Sequence, residues 1–121
     1  MRPILVSVLI ILAFVASASA GGLATLEFGQ AFEGLGRLQV FDQRCNGGAE
    51  AEVIDEMRSR MTNTMAGISE RAHRHADIWY ELGKKLQVRD LEQYQCRSNS
   101  PSLDDIASLF QDALSYHRAG L

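Results

Sequence analysis

A long run of helical periodicity lies between the only two cysteines of the chain, Cys45 and Cys96, and it limits the possible folds more than any other feature. From Ala49 to Leu86 the residues Ala49, Val53, Met57, Met61, Met65, Ile68, Ala72, Ala76, Trp79, Gly83 and Leu86 recur at steps of three and four. That spacing keeps one face of an α-helix apolar. As a single rod the run would measure about 57 Å at 1.5 Å per residue, long for a domain of about a hundred residues. Thr62, Asn63, Thr64 and Gly67 are its weakest helix formers, so the expectation is two helices with a bend or break between Asn63 and Gly67. A Cys45–Cys96 disulfide would bring the ends of the run together, which a straight rod resists and a hairpin allows. Closing that loop of about fifty residues is worth roughly 4 kcal/mol in chain entropy.

The redox state of these cysteines depends on compartment, and the first twenty residues, MRPILVSVLIILAFVASASA, speak to that. Arg2 gives a positive start, Ile4 to Ala16 is apolar apart from Ser7, and Ala18-Ser19-Ala20 has the small-x-small form of a processing site. The apolar run reaches only roughly 20 Å, against a hydrocarbon core of about 30 Å. The expectation is a signal peptide over residues 1–20, cut after Ala20, and one helical domain over residues 21–121. No stable transmembrane anchor remains after processing, and the product is placed in the periplasm or outside the cell, where two cysteines pair. Losing Arg2 with the leader takes the formal charge from −3 to −4.

Other helices follow from the same rules. Phe28, Ala31, Phe32, Leu35, Leu38 and Phe41 share a face in a first helix expected from Leu23. Gly29, Gly34 and Gly36 either break that helix near Gly34 or permit close packing against another. Asn46-Gly47-Gly48 is a turn. After Leu86, Asp90 is a candidate cap for a short segment, Leu91 to Cys96, with Leu91 and Tyr94 facing inward. Ser100-Pro101 reads as the start of a last helix with the stripe Leu103, Ile106, Phe110, Ala113 and His117, ended by Gly120. No segment alternates as a strand does. The fold class is therefore all-α: a small antiparallel bundle of three to four helices with one disulfide.

Functional signals are sparse. The densest polar group is Glu70, Arg71, His73, Arg74, His75, Asp77 and Glu81. On a helical wheel with Ala72 at zero, His73 falls near 100° and Asp77 near 140°, one turn apart and away from the apolar face. They form a candidate weak surface metal site, set against the plain reading of a solvated charged face. Glu70-x-x-His73 is half of a di-iron bundle signature, but no second copy exists. Catalytic motifs such as Gly-x-Ser-x-Gly, His-Glu-x-x-His and a glycine-rich phosphate loop are missing, and no cofactor is expected. A small hydrolytic enzyme is accordingly the weakest of three readings. The acidic balance, with basic residues interleaved among acids, argues against nucleic acid as a partner. The leading expectation is a binding or accessory module for another envelope or extracellular protein, with Tyr80 as a rim anchor beside Arg74 and Lys84. Met57, Met61 and Met65 are read as flexible core filler rather than a binding groove.

Overall fold

A computed structural model describes the backbone of residues 2–121 and the side chains from residue 22 onward. Four helices account for most of it: α1 (Arg2–Cys45), α2 (Ala51–Ile68), α3 (Glu70–Tyr94) and α4 (Leu103–Arg118), with a 3₁₀ turn at Gln95–Arg97. The chain is a four-helix all-α bundle with a Cys45–Cys96 disulfide whose Cα atoms are 5.7 Å apart. The side chains of the leader expected over residues 1–20 lie outside the described residues. Among the described residues no helix is long and apolar enough to cross a membrane.

Every other helix packs against α1, α3 most extensively and α4 next. Gly29 lies against Trp79, Gly36 against Tyr80, Arg37 against Asp90 and Cys45 against Cys96, so α1 and α3 run parallel. Phe28 meets Phe110 while Gly34 meets Ile106, so α4 runs antiparallel to α1. The disulfide thus staples corresponding ends of two parallel helices.

α1 is not broken at its glycines. Each of them takes a different neighbour. A Cβ on Gly36 would lie 2.1 Å from the Tyr80 carbonyl oxygen, and one on Gly83 would lie 1.9 Å from that of Glu33. Backbone meets backbone at this crossing. Gly29 faces the Trp79 ring, and Gly34 faces Ile106 and Pro101 at the start of α4. Around the crossing Phe28, Phe32, Leu35, Ile54, Met65, Ala76, Ile106 and Ala113 form a core from all four helices. The Phe110 ring closes one side, edge-on to Phe28 at 5.6 Å and Phe32 at 6.4 Å.

Polar groups pin the end near the disulfide. Arg37 reaches Asp90 at 2.9 Å and Gln87 Oε1 at 3.4 Å, and buried Gln87 donates to Ser98 Oγ at 3.1 Å. Asp90 therefore pairs with α1 instead of capping a separate segment, and α3 runs on to Tyr94, which is exposed rather than inward. Asp42 is fully buried; its carboxylate accepts the Glu50 N–H, and its carbonyl accepts from Asn46 and Gly48. One aspartate both organises the turn and supplies the missing cap of α2.

Several boundaries differ from expectation. The long run does divide into two helices, but at Ser69, whose hydroxyl accepts the Ala72 N–H at 3.2 Å as the cap of α3. Thr62 and Thr64 stay in α2 by donating back to the carbonyls of Arg58 and Arg60. The last helix is capped by Ser102, not Ser100: Ser102 Oγ accepts the Asp105 N–H and Asp105 accepts the Ser102 N–H, both at 3.1 Å. That pairing holds the Asp105 carboxyl below the usual aspartate range. The first helix, expected from Leu23, runs through from Arg2, since no proline separates the apolar segment from it.

Gly83→Ala is expected to lower unfolding free energy by about 3 kcal/mol or more, because its Cβ would meet backbone that cannot give way. Gly67→Ala, exposed in α2 with nothing within 4 Å, is expected to raise it by about 0.5–1 kcal/mol. Urea unfolding of the two variants separates these outcomes, and a Gly83→Ala protein as stable as the parent would contradict the crossing.

Candidate interaction surface

The contact at Gly36 and Gly83 sets how α3 is rotated against α1. Its buried residues are Ala72, Ala76, Tyr80, Gly83, Gln87 and Leu91, a stripe of steps of four, four, three, four and four. The expected stripe through Trp79 and Leu86 lies to one side of it, and both of those residues are only half-buried. Ala72, Ala76 and Gly83 of the expected stripe are buried, whereas packing selects Tyr80 and Gln87 in place of Trp79 and Leu86.

Tyr80 is therefore not a rim residue. It is 1% exposed, which removes it as a surface anchor. The Arg58 guanidinium lies over its ring, 3.7 Å from the centroid, and the Lys84 ammonium lies 5.8 Å from it. Among the described residues its buried hydroxyl has no hydrogen-bond partner. Burial raises the phenol above its ordinary value, opposed by the Arg58 charge and assisted by Asp55 and Glu81. Lys84 is partly covered and pairs with Glu81 at 3.4 Å, while Arg74 is exposed on the other side of the helix turn.

The candidate metal pair His73 and Asp77 lies one turn apart on α3. Asp77 is exposed and forms an ion pair with Arg58 at 3.1 Å, and His73 is half-buried. Among the described residues no group of three or more His, Cys, Asp or Glu side chains is placed to hold a metal ion. His75 Nδ1 donates to the Arg71 carbonyl at 2.7 Å, and its ring lies 5.9 Å from Trp79.

The rotation of α3 turns a different set of residues outward. Ile78 is 61% exposed and Leu82 44%, and across the α1–α3 seam Leu26 is 55% exposed. Trp79 lies between them, over Gly29 and stacked on Phe32 with centroids 6.5 Å apart. Leu26, Gly29, Trp79 and Leu82 line one shallow depression, and Ile78, Leu82 and Lys85 line the next, so Leu82 joins the two into one strip. None of Leu26, Ile78 or Leu82 falls on an apolar stripe read from the sequence, so none of them stands out there. A stripe drawn through Ala72, Ala76, Tyr80 and Gly83 would have turned Ile78 and Leu82 outward; Leu26, on α1, has no such signal.

A second concavity, of about 320 Å³, lies between α2 and α4 and is lined by Val53, Met57, Met61, Phe110 and Leu114, with Glu56 and Arg60 paired on its rim. Met61 and Met65 are core residues, whereas Met57 is half-buried and faces this groove.

Tyr80→Phe removes a buried hydroxyl that has no partner, so it is expected to be neutral or to stabilise by about 1 kcal/mol, whereas Tyr80→Ala should cost about 3–5 kcal/mol. The folded state favours the neutral phenol. Its contribution is therefore complete below the ordinary tyrosine pKa of about 10 and is lost as pH rises through the higher folded value. Chemical denaturation of the parent and Tyr80→Phe between pH 8 and about pH 11 should show the smaller alkaline loss in Tyr80→Phe. No protein-family model, curated protein or solved structure matches this chain.

Proposed function

We propose that this chain is an exported binding or accessory module that uses the Leu26–Trp79–Leu82–Ile78 strip to contact another envelope or extracellular protein. One observation carries this reading: three large aliphatic side chains, each about half exposed or more, surround a half-buried tryptophan. Contiguous exposed apolar surface of this kind marks interaction sites in soluble domains, and aromatic residues seated in a packed setting are frequent energetic anchors. Trp79 is held rigid by Gly29 and Phe32, so little side-chain entropy is lost when a partner covers it.

Export is supported by the Arg2 start, the Ile4 to Ala16 apolar run and the Ala18-Ser19-Ala20 site. The Cys45–Cys96 disulfide is chemistry suited to an oxidising compartment. A metal role has less support, since Asp77 is engaged by Arg58 and among the described residues no group of three or more His, Cys, Asp or Glu is placed to hold an ion.

Burying half-exposed leucine or isoleucine contributes roughly 1 kcal/mol each, and placing a carboxylate there adds a desolvation cost. Leu82→Asp is therefore expected to reduce partner capture from envelope extracts at least about tenfold, with the thermal midpoint of the isolated protein unchanged. Arg74→Ala, off the strip, should leave capture unaltered. Retention of every captured protein by Leu82→Asp would overturn the assignment.

A further inference from the structure

The end of α4 lies beside the point where the leader would be cut. In a continuous helix each N–H bonds to the carbonyl four residues earlier, so Ser19 and Ala20 serve Leu23 and Ala24. A cut after Ala20 removes those two acceptors and leaves N–H groups at the new helix start without partners. Leu23 and Ala24 already have another acceptor: the Leu121 oxygen lies 2.9 Å from the Leu23 nitrogen and 3.3 Å from that of Ala24. In the full chain Ala24 is 4% exposed.

Leu121 is held in that place by the way α4 ends. The Leu121 N–H donates to the Tyr116 carbonyl at 2.9 Å, and the Gly120 N–H donates to that of His117 at 3.1 Å. These are the paired bonds of a Schellman motif, which needs a left-handed residue at its turn. Gly120 supplies it, at φ +76°. Because α4 is antiparallel to α1, this turn projects the Leu121 oxygen onto the first turn of the processed helix.

We infer that the Gly120–Leu121 turn is a replacement cap, which takes over the Leu23 and Ala24 donors when residues 1–20 are removed. The inference rests on the processing step of the export reading. It explains why processing within a continuous helix leaves the bundle end closed: the donors change acceptors without changing place.

Amide hydrogen exchange tests it on two oxidised forms, the exported product and the unprocessed full chain. In the exported product Leu23 and Ala24 should be protected. Gly120→Val, or deletion of Leu121 alone, should lower their protection at least about tenfold while leaving Leu35 unchanged. In the full chain the same changes should leave both amides protected, since the Ser19 and Ala20 carbonyls remain. Intact mass separates the two claims. A product that retains residues 1–20 overturns the processing step and the transfer with it. A product that starts at Gly21 but has unprotected Leu23 and Ala24, or is insensitive to both variants, overturns the cap alone.

Discussion

The bundle depends on one contact in which two helix backbones touch. Gly36 of α1 and Gly83 of α3 each occupy a position where a single methyl group would overlap the opposing carbonyl. Such an approach brings two helices closer than the usual 8–10 Å axial separation and exchanges side-chain packing for backbone contact. It also fixes rotation. With Gly83 against Glu33, the α3 face toward the core must carry Ala76, Tyr80 and Gln87, and the opposite shoulder must carry Ile78 and Leu82. The exposed strip is thus a consequence of the crossing and not an independent feature.

Two further devices keep this parallel pair in register. The disulfide joins the end of α1 to the turn after α3, and the Arg37–Asp90–Gln87–Ser98 network fills the space just before it. Buried polar groups are costly unless paired, and Gln87 and Asp42 both have partners. Among the described residues Gln39 Oε1 and the Tyr80 hydroxyl are the exceptions, and Tyr80 is the more telling. Its ring is favoured by packing and by the Arg58 charge above it, while its hydroxyl goes without a partner. The aromatic body outweighs the unpaired oxygen at this position.

Much of the architecture was legible in the residues. The periodic run, the Asn46-Gly47-Gly48 turn and the lone cysteine pair lead to a stapled helical bundle by spacing and chain length alone. Helix ends were less legible, because the caps compete locally: Ser102 wins over Ser100 through its reciprocal bond with Asp105, and Ser69 wins over the Thr62–Gly67 stretch. The surface was least legible. A wheel weighted by hydrophobicity favours Trp79 and Leu86, yet Tyr80 and Gln87 are the buried residues beside Gly83. The approach of Gly36 to Tyr80 and of Gly83 to Glu33 decides between Trp79 and Tyr80 for the inward position.

The most direct test of this account is native-state hydrogen exchange across the whole bundle. The slowest amides should lie on both sides of the crossing, around residues 33–38 of α1 and 80–87 of α3, and should exchange only through global unfolding. Slowest exchange in α2 or α4, with the α1–α3 crossing opening first, would contradict the claim that this backbone contact holds the fold and sets its exposed face.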